Sequence, residues 1–184
     1  MPFRSKSNGN TKWQDAVALE MQQLDEYDTF KDIGKNAPIS SDYKKIRVHL
    51  VFAVKHDGRH KARLVADGHL TDVPINSVYS GVVSLRGLGL IIFLAQLNDL
   101  ELWSTNIGNA DLEATTNERV YIITGPEFGN CQGHTLIIFK ALYGLRSLGL
   151  RWHKRFADCL RTMGFSPCVA EPDIWMRKVD GIWE

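Results

Sequence analysis

Leu100-Glu-Leu-Trp-Ser-Thr-Asn-Ile-Gly-Asn-Ala-Asp-Leu-Glu-Ala114 is the stretch on which the fold assignment turns. A short apolar element runs into a turn of small residues, and a polar, helix-like segment follows. Beyond it, Val120-Tyr-Ile-Ile123 reads as a buried strand closed by the turn Gly125-Pro126. A loop then spans Pro126 to His134, and Thr135-Leu-Ile-Ile-Phe139 is a second buried strand. Lys140-Ala-Leu-Tyr-Gly-Leu-Arg146 connects it to a helix with Trp152, Phe156, Cys159, Leu160 and Met163 on one stripe, for which Gly164 is the expected C-cap.

Upstream, a helix is expected to start at Thr11, with Gln14 placed to complete a capping box. Trp13, Ala16, Val17, Glu20, Met21, Leu24 and Tyr27 recur at helical spacing, an apolar stripe with a single charge in it. Residues 1–10 are polar and expected to be flexible, and Gly34 to Asp42 reads as a linker or loop. Arg47 to Val54 and Lys61 to Ala66 flank Asp57-Gly58, a strong hairpin signal, with Lys61, Arg63 and Val65 sharing one face. Such a basic ribbon can hold phosphates, and the same pattern equally describes a solvated sheet face. Val73 to Val83 is irregular. Ser84 to Asn98 is apolar on most faces and is expected to be a buried central helix despite Gly87 and Gly89. Asp173 to Val179 reads as a strand and Asp180-Gly181 as a second hairpin turn, with Ile182-Trp-Glu184 only beginning the partner strand. A hairpin that stops there leaves an unpaired edge, so the chain reads as truncated.

Composition sets the outer bounds. The chain has 184 residues, 44% of them hydrophobic and 23% charged, as in an ordinary soluble domain. A net charge of +1 carries no message about partners, but its distribution does. Asp15 to Asp32 is acidic, while Lys44 to Arg63 and Lys140 to Arg161 are basic, which gives the surface one face compatible with nucleic acid. Three cysteines without framework spacing suggest a reducing compartment. There is no uninterrupted apolar run of the ~18 residues a membrane helix needs. A cytoplasmic or nuclear location without a membrane partner is expected.

The chain resembles the reverse transcriptases of Ty1/copia-type retrotransposons in an ordered set of stretches from about Trp13 to its last residue. Trp13 with Ala16, Glu20 and Leu24 resembles the leading helix, and Asp57-Gly58 with Lys61 to Ala66 and Gly68 the fingers hairpin. Ser80, Val82-Val83 and Ser84-Leu85-Arg86 resemble the entry to the palm helix. Lys140 to Arg146, followed by Arg151-Trp152, is the most specific match, and Glu171-Pro-Asp173 resembles the segment before the family's paired aspartates. The resemblance implies an α+β fold: the fingers (about 11–80) and a partial palm (about 81–184) of a right-hand polymerase, with an antiparallel sheet backed by helices.

In the family, RNA-directed DNA synthesis runs on two Mg²⁺ held by carboxylates, which activate the primer hydroxyl and stabilise the leaving pyrophosphate. Two departures stand out. The first catalytic aspartate matches Asn106, whose neutral amide offers a carbonyl oxygen but no charge, and the paired aspartates would lie beyond Glu184. Losing an anionic ligand costs orders of magnitude in rate, so the chain as written is expected to be inactive and to hold no cofactor. Asp111 stands where the family usually has an aromatic residue beneath the nucleotide sugar; its position past the turn makes it a poor substitute ligand. By resemblance, Lys61 and Arg63 approach the triphosphate or template, while Tyr143, Gly144 and Arg146 lie along the template–primer path. On its own residues Tyr143 equally suits loop packing. The expected partners are an RNA or DNA template–primer and the remainder of a retrotransposon polyprotein. The alternative function is a non-catalytic nucleic-acid-binding module.

Other constellations fall short. His56, His60 and His69 cluster, and Cys131 with His134 has a C-x₂-H spacing, but neither completes a four-ligand zinc set in sequence. Gly125 to Gly129 lacks the Lys-Ser/Thr of a phosphate loop, and neither Ser80 nor Ser147 has a nucleophile-elbow context.

Overall fold

A computed structural model describes residues 11–71, 78 and 80–183. The expected flexible segment 1–10 and part of the irregular stretch 73–83 lie outside these.

Helix α1 (Lys12–Glu26) buries Ala16, Glu20 and Leu24, the stripe expected from the spacing. The expected capping box does not form, because the Thr11 hydroxyl donates to Asp15 at 2.8 Å and caps nothing. Strands β1 (Phe30–Lys35) and β2 (Lys44–Lys45) follow, then the hairpin of β3 (Val48–Val54) and β4 (His60–Ala66). After a short 3₁₀ turn (Gly68–Leu70) come α2 (Leu85–Leu97), a 3₁₀ turn (Ala110–Glu113), β5 (Val120–Ile123) and β6 (His134–Ile138). The chain continues through α3 (Leu148–Thr162) and the short strands β7 (Ser166–Pro167), β8 (Trp175–Met176), β9 (Lys178–Val179) and β10 (Ile182–Trp183).

One four-stranded sheet runs in the order β1-β6-β5-β2. It is antiparallel, as expected, except for the two-residue parallel contact of β2 with β5. β3 and β4 pair separately, Val48 opposite Ala66 through Val54 opposite His60. Leu24, Ile46, Leu64, Val120, Ile122, Ile138 and Leu142 join helix, hairpin and sheet in one core, each 2% exposed or less. Full burial of each such side chain contributes about 1.5–3 kcal/mol. β1 went unread in sequence because F-K-D-I-G-K has little apolar alternation; it forms through its distant partner β6, Phe30 opposite Ile138.

Two expectations need correction. α2 forms, capped by the Ser84 hydroxyl accepting from Gly87 N at 3.0 Å, but it is not a buried central helix. Leu85 is 88% exposed, Leu97 68% and Phe93 61%; only Gly87 and Ala95 are buried. The small residues select the packing side, since a Cβ at Gly87 would come within 3.2 Å of Val83, Glu171 and Ile174. The large side chains therefore point outward. Second, the apolar element leading to Asn106, a strand by the family resemblance, is not one: residues 101–107 have no regular secondary structure and are exposed. A strand needs a partner for its main-chain groups, and no described strand pairs with this segment.

The expected strand from Asp173 to Val179 is split into β8 and β9, which pair with β7 and β10. The second hairpin turn is as expected, with positive φ at Asp180 (51°) and Gly181 (86°), and Gly164 (φ 86°) follows α3 as its cap. No helix among the described residues is long and apolar enough to cross a membrane.

Candidate nucleic-acid interface

The alternation of β4 sends Ala62, Leu64 and Ala66 into the core and leaves Lys61, Arg63 and Val65 on the opposite face. One edge of β4 is paired with β3. Along the other, Leu64 N donates to the Glu20 carboxylate at 2.9 Å and Ala66 N to the Tyr143 carbonyl at 2.7 Å. An edge that would otherwise leave N–H groups unpaired is thus closed by α1 and by the 140–146 connector.

The connector can come this close because of two glycines. Gly144 has φ +90°, and a Cβ there would sit 2.1 Å from the Ala66 carbonyl oxygen. A Cβ at Gly68 would meet the Gly144 oxygen at the same distance. Arg146 locks the contact by donating to Gly68 O and His69 O, each at 3.0 Å. Its guanidinium is thus committed in part to holding the turn after β4. Farther along, Ser147 donates through its N–H and hydroxyl to Glu118 at 2.9 and 2.6 Å, which ties the connector's end to the approach of β5.

Above this joint the Arg63 guanidinium lies 5.0 Å from the centre of the Tyr143 ring, a cation–π contact. Burial raises the Asp111 carboxyl above its ordinary range while the Arg63 charge lowers it. Burial also raises the Tyr143 phenol, helped by the Asp111 charge. Lys61 is lowered, first by burial and then by like charges on Arg63 and Lys55, with Glu20 opposing. Lys61, Arg63, Asp111, Tyr143 and Gly144, from three separate parts of the sequence, therefore lie around the outer face of β4, with Arg146 at the turn that follows it. Asn106 does not stand on a sheet edge with them; it is exposed on irregular backbone.

Glu20 was visible in sequence only as an odd charge in an apolar stripe. Here it is 6% exposed and completes the β4 edge. Glu171, noted in sequence only within the Glu171-Pro-Asp173 resemblance, accepts from the Ser84 hydroxyl at 2.7 Å and from Ser84 N at 3.3 Å, and so supports the start of α2.

The donor set does not fit a pair of magnesium ions. Mg²⁺ gives up water reluctantly and takes anionic oxygens in near-octahedral geometry. Asn106, which the resemblance implies at the position of the first catalytic aspartate, is a neutral amide, and the Asp111 carboxyl lies in the field of the Arg63 charge.

Residues 32–182 match the family described as reverse transcriptase (RNA-dependent DNA polymerase). The chain is 24% identical over 173 residues to the retrovirus-related Pol polyprotein from transposon TNT 1-94 of Nicotiana tabacum, covering 89% of this chain and 13% of that protein. It is 30% identical over 159 residues to the transposon Ty1-DR4 Gag-Pol polyprotein of Saccharomyces cerevisiae, covering 81% of this chain and 9% of that one. The Ty1-DR6 Gag-Pol polyprotein of the same yeast matches to the same extent. No solved structure matches. The chain thus spans a small part of these relatives, and with a family match over most of its own length it belongs to the reverse transcriptases of Ty1/copia-type retrotransposon polyproteins.

Proposed function

We propose that this chain is a template–primer-holding part of such a reverse transcriptase, with fingers over about 11–80 and part of the palm over about 81–184, and that it binds nucleic acid without extending it. The convergence of Lys61, Arg63 and Tyr143 on one rigid face carries the reading. Cations held on a strand whose both edges are occupied lose little conformational freedom when they meet phosphates. Tyr143 adds a flat surface for a base or sugar beside them. Gly144, itself exposed, lets the connector close on β4 and so fixes Tyr143 beside Arg63. Asn106 supports the absence of synthesis, because its amide supplies no anion for a metal that needs one. The bare apolar face of α2 fits a domain that works against neighbouring segments of a longer polyprotein.

Binding to an RNA–DNA duplex, followed by anisotropy across a salt series, tests this. Each phosphate neutralised contributes roughly 0.9 to the slope of log affinity against log salt. Replacing Lys61 and Arg63 together by alanine is expected to weaken binding and to reduce that slope by about 2. No binding at low salt, or an unchanged slope in the double variant, would leave a decayed domain with no interface at this face.

A further inference from the structure

A second cluster lies at the β1 edge of the four-stranded sheet. Cys131 and His134 alone were too few for zinc, but the pairing of β1 with β6 adds Asp32, so that one ligand atom from each residue lies within 4.8 Å of the others. All three are pinned from behind. Thr124, 4% exposed, donates its hydroxyl hydrogen to the Cys131 carbonyl and accepts from His134 N at 3.0 Å. Gly34 N donates to Asp32 Oδ1 at 2.7 Å, leaving Oδ2 to face His134 Nδ1 at 2.8 Å.

We propose that Asp32, Cys131 and His134 form a site for a zinc-type divalent cation that clamps β1 to the loop before β6. A thiolate, an imidazole and a carboxylate are the mixed sulfur, nitrogen and oxygen donors that borderline-soft Zn²⁺ accepts, and water completes the tetrahedron. Ligand atoms around tetrahedral zinc stand roughly 3.3–3.7 Å apart, from bonds of about 2.0–2.3 Å. Binding therefore opens the Asp32–His134 contact slightly and draws the wider separation inward. The Cys131 thiol proton, and the proton shared by Asp32 and His134 when the imidazole is charged, leave to solvent as the ion enters. The site is independent of the nucleic-acid face, since it shares no residue with it.

Cobalt(II) titration of the intact chain provides the test. One ion per chain is expected, with a thiolate-to-cobalt charge-transfer band and strong d–d absorption from tetrahedral coordination, both abolished by stoichiometric Zn²⁺. Cys131→Ser should lose the charge-transfer band, and Asp32→Asn should weaken binding at least tenfold. The Cys159→Ser/Cys168→Ser variant, which keeps Cys131 as the sole thiol, should retain the full spectrum, so the result does not depend on the folding of Cys131→Ser. No charge-transfer band in the intact chain, or a band that disappears in the Cys159→Ser/Cys168→Ser variant, would overturn the assignment. A band that persists in Cys131→Ser would do so as well.

Discussion

Gly144→Ala is expected to lower the thermal midpoint by roughly 6–12 °C, the equivalent of about 3 kcal/mol at 2–4 °C per kcal/mol for a domain of this size. Two effects add. A φ of +90° is costly for any residue with a Cβ, about 1–3 kcal/mol. The added methyl would also stand 2.1 Å from the Ala66 carbonyl oxygen, a main-chain atom with no rotamer to escape into. The same residue also donates its N–H to the Tyr143 carbonyl, so moving one backbone away from the other breaks that bond too. Gly34→Ala is the matched control. Gly34 has φ +89° and nothing within 4 Å of a Cβ, so it should show the conformational strain without the collision. Thermal melts of both variants separate the two contributions. Equal losses would mean that the connector does not press on β4.

The second large effect falls on Glu20. Glu20→Leu removes the acceptor of the buried Leu64 N–H and should cost about 1–3 kcal/mol, the desolvation penalty of an unpaired donor, measurable by urea unfolding. Glu20→Gln keeps an acceptor oxygen and should be milder. The pair also differ from the native chain in pH response, and the sign follows from the environment. Burial raises the Glu20 carboxyl above its ordinary 4.5, against the Leu64 hydrogen bond and the charges of Lys61 and Arg63. The folded chain therefore binds this proton more tightly than the unfolded chain. Its contribution to stability is fullest below the unfolded value and declines as pH rises through the folded one. Glu20→Gln should remove that decline, so that its stability relative to the native chain improves as pH rises from about 4 to 7. Asp32 and Asp57, both lowered, act in the opposite direction and are common to the two proteins. The difference between them thus isolates Glu20.

How much of this was legible in sequence depended on the range of the contacts involved. α1, the β3–β4 hairpin, β5, β6 and α3 rest on local periodicity and turn chemistry, and all five were readable. β1 was not, because its pairing with β6 is long-range and its own composition is indifferent. α2 shows the limit of hydrophobic pattern: composition correctly indicated a helix, but which side packs was decided by Gly87 and Ala95 and not by its leucines. Of the residues that the resemblance implies along a nucleic-acid path, Lys61, Arg63, Asp111, Tyr143 and Gly144 lie beside β4 and Arg146 at the turn after it, while Asn106 stands on a segment that no described strand pairs with. What the pattern could not show was the joinery beneath them. Arg146 was expected along the nucleic-acid path, and much of its guanidinium holds the turn after β4. Cys131 and His134 looked incomplete because Asp32 arrives only through that same long-range pairing.

The central proposal is that this reverse-transcriptase chain keeps a cationic face for nucleic acid while Asn106, an amide, stands where the resemblance implies an anionic metal ligand. Primer extension on an RNA template, at a protein concentration that saturates the primer–template and with Mg²⁺ or Mn²⁺ supplied, tests this most directly. The expected result is a fully bound primer that gains no nucleotides. Template-dependent incorporation by the purified chain, lost on heat denaturation, would contradict it.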